Sequence, residues 1–120
     1  MRPSIDRTEF GSITISGEPY EHDVVIRLGG KVQKRKKKLS KAKYGTSHKI
    51  SLEEAEHIFE AGAKQLIIGS GQSGCVDLSD EASEYFRKHG CSVQLLPTPQ
   101  AITTWNAAKG AVIGMFHVTC

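Results

Sequence analysis

Three short apolar runs, at residues 65–68, 91–96 and 111–118, alternate with stretches that carry helix start and stop signals, and this alternation restricts the fold more than any other feature. QLII is branched and continuously apolar, as a strand covered on both faces must be. Ser79 then reads as an N-cap, with Asp80 and Glu81 in the first turn, Arg87, Lys88 and His89 in the last, and Gly90 as the stop. CSVQLL reads as a second central strand. Thr98 follows as a cap, and Pro99 takes the first turn of a helix to Ala108, where its missing donor is not needed. Gly110 closes that helix, and AVIGMFHV supplies a final buried strand. Helices between central strands call for a parallel or mixed α/β sheet.

Upstream, SITI alternates polar and apolar residues, Gly17, Glu18 and Pro19 supply turn chemistry, and residues 23–28 form a second early strand. Val32 begins a short, charged edge strand, and residues 41–48 read as a loop long enough to be a binding segment. Ser51 and Glu54 make a capping box, with Leu52, Ala55, Ile58 and Phe59 as the inward stripe and Gly62 as the stop. The 120 residues, 38% of them hydrophobic, suit one domain over 1–120 with a single core. No apolar run approaches the roughly 20 residues needed to cross a bilayer, which makes a cytoplasmic location the expectation. Cys75, Cys91 and Cys120 are odd in number and lack CxxC spacing, so reduced thiols are expected rather than a disulfide scaffold or a zinc knuckle.

The charge is strongly polarised. Residues 31–43 (KVQKRKKKLSKAK) hold eight of the 16 basic side chains and no acid, leaving eight basic against all 13 acidic ones elsewhere. Such a stretch suits an acidic protein, a nucleic-acid backbone or an anionic small molecule, and equally a solvated sheet edge kept from pairing by lysines. Tyr44 is the nearest aromatic, so the stacking platforms of single-strand readers are poorly represented and nucleic acid is not the favoured partner.

Gly69 to Gly74 (GSGQSG) matches GxGxxG after an apolar strand. It does not open directly onto a helix, the next strand carries no acid, and no Walker lysine follows, so nucleotide-cofactor binding is not expected. Small residues still allow close approach of an anion to backbone N–H groups. Cys75, just after this loop, is a nucleophile only if basic residues and a histidine reach it; a structural thiol is the plainer reading. His117 and Cys120 lie three apart, which on an extended backbone sends them to opposite faces, so a metal site would need further ligands such as Cys75, Cys91 or His48, and none is assigned. Trp105 with Asn106 lines a cleft or sits in the core, and Asp77 and Glu84 show no paired acid–base arrangement.

Phe10-Gly11, Leu66-Ile67-Ile68-Gly69-Ser70-Gly71, Leu96-Pro97-Thr98 with Ala101 and Asn106, and the ending Phe116-His117-Val118-Thr119-Cys120 together resemble the small Mth938 domain family. Tyr44-Gly45-Thr46-Ser47-His48 further resembles its microbial members. That family includes an animal adipogenesis-associated protein and, more distantly, an assembly factor of mitochondrial respiratory complex one. The resemblance implies a three-layer α/β fold around a mixed central sheet, with a cleft near the glycine loop and the final histidine-bearing strand, and it implies no established reaction.

The residues expected to meet a ligand or partner are Lys34, Arg35, Lys36, Lys37 and Lys38, then Tyr44, Thr46, Ser47 and His48, then Gly69, Ser70, Gly71, Ser73 and Gly74, and His117. The expectation is a non-enzymatic interaction or assembly-related domain with a basic surface, monomeric or homodimeric, without cofactor. The rival is an enzyme or binding protein for a phosphorylated or carboxylated small molecule.

Overall fold

The computed structural model describes residues 2–120. Its centre is a five-stranded mixed sheet. In spatial order this runs β5 (Val32–Lys34), β4 (Val24–Ile26), β10 (Val112–His117), β7 (Gln65–Ser70) and β9 (Ser92–Leu96). β10, β7 and β9 are parallel, β4 pairs antiparallel with β10, and β5 pairs antiparallel with β4.

Strand alternation divides the core into two faces. Val25, Leu66, Ile68, Ile113 and Met115 point to one face, where they meet α2 (Leu52–Ile58) and α3 (Asp80–Lys88) through Ala55, Ile58, Ala82 and Phe86. Val24, Ile26, Ile67, Val112 and Phe116 point to the other. There they meet Ala101 and Trp105 of α4 (Thr98–Ala107) and Ile5, Ile13 and Ile15 of a small antiparallel sheet. That sheet consists of β1 (Ile5–Glu9), β2 (Ser12–Ile15) and β3 (Glu18–Tyr20). The result is a three-layer α/β domain around a mixed sheet: the mixed α/β sheet is what the alternation of runs and caps indicates, and the three layers are what the family resemblance implies. Gly114 leaves no room for a side chain: a Cβ there would come within 2.6 Å of the Phe116 ring and 2.9 Å of the Trp105 ring. Trp105 is a core residue rather than a cleft wall, its indole donating to Pro3 O at 2.8 Å, and Asn106 clamps β1 by bonding both Ile5 N and Ile5 O.

Several local expectations differ from the structure. Residues 38–44 form a helix, α1 (Lys38–Tyr44), where the sequence reads as loop; its single buried side chain is Ser40, so no apolar stripe betrays it. β1 and β3 are added, both held by pairing to β2 rather than by apolar runs of their own. A two-residue parallel pair, β6 (Lys49–Ile50) with β8 (Asp77–Leu78), ties the segment after α1 to the segment after the glycine loop. α2 stops at Ile58, well before Gly62. β9 lies at the sheet edge, not at the centre, and has no fully buried position: Ser92, Gln94 and Leu95 are exposed and Val93 and Leu96 half-buried. Thr98 is the first residue of α4 rather than its cap, with Pro97 before it.

Candidate functional site

Asp23, the residue before β4, is the hub of a buried polar network. Its Oδ2 receives Arg35 Nη1 at 2.9 Å and His117 Nδ1 at 2.7 Å, and its Oδ1 receives the Val118 N–H at 2.9 Å. Burial pushes the Asp23 carboxyl up. The His117 hydrogen bond, the Val118 N–H and the His117 and Arg35 charges outweigh that and bring it from 3.8 to about 2. Asp23 is therefore ionised at neutral pH, and His117 donates to it from Nδ1 while Nε2 faces Thr119 Oγ1 at 3.1 Å.

Arg35 extends the network to α2. Its Nε and Nη2 reach Glu54 Oε2 and Oε1 at 2.6 and 3.1 Å, and Nη2 also donates to Ser47 O at 2.7 Å. Burial lowers its pKa, but the Glu54 and Asp23 carboxylates raise it further than burial lowers it. These bonds revise the expected capping box. Ser51 Oγ does accept the Glu54 N–H at 3.1 Å, but the Glu54 carboxylate turns to Arg35 and Ser40, and Ser40 Oγ takes the Ser51 N–H instead. Arg35 is thus a buried structural cation, not part of an exposed basic arm.

The glycine loop between β7 and β8 holds the segment beyond β10. Gly71 N donates to Thr98 Oγ1, Gln72 N to Thr119 O, Ser73 N and Cys75 N to Cys120 O, Gly74 N to Gly71 O, and Val76 N to Ser70 O. Every backbone donor from Gly71 to Val76 has a partner within the protein, so none is left to cradle an anion. Thr98 Oγ1 also donates to His117 O at 2.7 Å, which locks the loop to β10. Gly71 has φ +107°, and a Cβ there would lie 2.3 Å from the Cys120 carbonyl carbon and 2.9 Å from the His117 ring. Only glycine fits.

His48 comes onto this seam from the turn after α1. Its ring sits edge-on to that of His117 with centroids 5.4 Å apart, and its Nε2 is 3.7 Å from Cys120 Sγ. β10 ends at His117, so the strand alternation that would part His117 from Cys120 does not extend to Cys120, and one donor atom each from His48, His117 and Cys120 lies within 4.8 Å of the others. Cys75 is exposed, and residual desolvation followed by the neighbouring Cys120 pushes its thiol up, with no cation among the causes. That is the reverse of what an activated nucleophile needs.

The lysines of residues 31–43 separate from this seam. Lys31, Lys34, Lys36, Lys37, Lys38 and Lys41 are exposed, and none has an ion-pair partner among the described residues. Lys43 lies between Glu53 and Glu81 at 3.9 and 3.7 Å. Residues Lys34 to Lys38 line a hollow of about 420 Å³, and Lys38, Leu39, Ala42, Lys43 and Glu53 line one of about 560 Å³. The positive field reaches His57: burial first, then Arg27 and Lys36, lower its pKa against the opposing pull of Glu54.

Residues 5–117 match the family described as "protein of unknown function (DUF498/DUF598)". The chain belongs to this family. This DUF498 chain is 31% identical to the conserved hypothetical protein PH1505 from Pyrococcus horikoshii OT3, with a TM-score of 0.89 over 98% of this chain and 99% of that one. It is 35% identical to a protein named MT938, with a TM-score of 0.82 over the same shares. A Mth938-like domain from Bordetella pertussis, at 15% identity and TM-score 0.65 over 97% and 85% of the two chains, shares the fold.

In this Mth938-like chain the structure brings together Arg35, Ser47, His48, Gly71 and His117, and leaves Lys34, Lys36, Lys37 and Lys38 on a separate face. Thr46 is a local prop, its Oγ1 accepting the His48 N–H at 3.1 Å. Tyr44 is covered by the Lys43 and Lys49 ammonium groups, 5.8 and 5.3 Å from its ring centre. Glu54 and Thr98 read from the sequence only as helix-capping residues, and Asp23 and Thr119 carry no site role there. The one signal for the buried role of Asp23 and Glu54 is the isolated Arg in a lysine run, since a guanidinium suits a buried carboxylate pair better than an ammonium does.

Proposed function

We propose that this chain is a docking module whose exposed lysines on β5 and α1 receive an acidic segment of another protein, in the cytoplasm. The observation that carries the reading is six exposed lysines along one stretch with no ion-pair partner among the described residues, beside hollows of about 420 and 560 Å³. The only guanidinium of the run is buried, which removes the bidentate phosphate grip that nucleic-acid and phosphoryl sites favour and leaves point-charge lysines. Tyr44 is already covered on its face by cations and is not free to stack on a base. The glycine loop has no free N–H for a small anion. Three free thiols suit a reducing compartment, and among the described residues no helix is long and apolar enough to cross a membrane.

Calorimetric titration of the full chain with a polyglutamate peptide, at low and at high salt, tests the proposal. Binding should weaken as salt rises and drop when Lys36, Lys37 and Lys38 are all replaced by Ala. No binding at low salt, or binding indifferent to the triple replacement, contradicts it. Tighter and more salt-sensitive binding to duplex DNA would transfer the lysine face to nucleic acid.

A further inference from the structure

We propose that His48, His117 and Cys120 form a binding site for a divalent transition-metal ion of zinc type, separate from the lysine face. One donor atom of each lies within 4.8 Å of the other two. A tetrahedral zinc holds nitrogen at about 2.0–2.1 Å and sulfur at about 2.3 Å, which sets those two donors roughly 3.5 Å apart. His48 Nε2 and Cys120 Sγ are 3.7 Å apart, so this pair already stands at ligation distance. Imidazole with thiolate selects zinc or cobalt over magnesium and calcium, which want oxygen.

Asp23 is the second, independent observation. A metal-bound imidazole nearly always gives its other N–H to a carboxylate or carbonyl, which fixes the ring and sharpens the ligating lone pair. His117 has that arrangement: Nδ1 is held by Asp23 at 2.7 Å, and Asp23 is itself fixed by Arg35 and the Val118 N–H. A histidine buried only for packing would be satisfied by Asp23 alone. That role does not account for a second imidazole and a thiol gathered near the same ring. The Cys120 position is likewise built, its carbonyl held by Ser73 N and Cys75 N.

Ligation requires two changes. The Thr119 hydroxyl, now 3.1 Å from His117 Nε2, turns away, and the Cys120 thiol releases its proton to solvent as the metal–sulfur bond forms. Both histidines contribute lone pairs as neutral imidazoles. The fourth position is left to water. Thr119 is therefore a competitor, and Asp23 a positioning residue.

The full chain, stripped with chelator, is titrated with Co(II) and then Zn(II), read by absorption and calorimetry. One ion per chain is expected, with a thiolate-to-cobalt charge-transfer band and tetrahedral ligand-field bands that zinc bleaches. Cys120→Ser should remove the charge-transfer band, and His48→Ala should weaken binding by about tenfold or more, on the order seen for lost outer-shell partners or greater. Asp23→Asn should weaken it about 10–100-fold. Thr119→Ala should bind at least as tightly as the parent. His48 and Cys120 are only half buried, so unchanged thermal melting certifies that these two variants fold. Absence of the cobalt bands in the parent chain overturns the proposal. So do bands that persist in both Cys120→Ser and His48→Ala, or that disappear only with Cys75→Ser.

Discussion

Arg35 lies in a run of eight cations, yet its guanidinium is buried between Asp23 and Glu54, whereas the adjacent Lys36 projects into solvent. Removing one partner of a buried charge cluster strands the others, so Arg35→Ala should destabilise the fold by about 3–5 kcal/mol. Lys36→Ala should stay within about 0.5 kcal/mol. Equal urea midpoints for the two variants would contradict this division. Asp23 sets a pH dependence of definite sign. Its carboxyl titrates at 3.8 when free and at about 2 in the folded chain, so between those values the unfolded state binds more protons and stability rises with pH. The contribution, roughly 2.5 kcal/mol at about 1.4 kcal/mol per unit, is complete above about pH 4 and is lost as pH falls through about 2. Urea unfolding across that window should show the loss in the parent chain and a shallower one in Asp23→Asn; identical acid limbs would exclude Asp23 as the source.

At the scale of elements, the glycine loop works as a socket for the segment after β10, and its geometry gives a sharp test. Gly71→Ala would place a Cβ 2.3 Å from the Cys120 carbonyl carbon on a residue at φ +107°, so a loss of about 1–3 kcal/mol or more is expected by chemical denaturation. An unchanged midpoint would mean that the seam is not closed as described. The helices α2, α3 and α4 and the strands β7 and β10 are legible in the sequence because caps and apolar spacing agree there. α1 is not, since its one buried side chain is a serine held by Glu54. The apolar letters of β9 suggest a centre, yet the chain after α4 inserts β10 between β7 and β4 and leaves β9 at the rim. Leu95→Gln should therefore cost under about 1 kcal/mol, while Ile67→Ala, fully buried on β7, should cost about 2–5 kcal/mol. Comparable losses, measured by thermal melts, would refute the edge position. His117 was legible as a polar residue on a buried strand. The sequence also offers His48 as a further ligand beside His117 and Cys120 but does not assign the three to one site, because their meeting depends on where β10 ends and on how the glycine loop turns the chain back.

Across the whole molecule, one polarised sequence resolves into two separate devices. A buried line of Glu54, Arg35, Asp23 and His117 joins α2 to the end of β10 and closes the glycine loop over Cys120. Lys31, Lys34, Lys36, Lys37, Lys38 and Lys41 face water from β5 to α1 with no ion-pair partner among the described residues, and Lys43 alone of the run's lysines meets carboxylates. Recognition, on this account, belongs to the lysine face, and the glycine loop is closed to ligands. Backbone amide shifts during titration with a polyglutamate peptide separate the two surfaces in a single spectrum. Changes confined to residues 31–43 and their neighbours on α2 are the predicted result; changes centred on residues 69–76, with the lysine segment silent, would contradict the account.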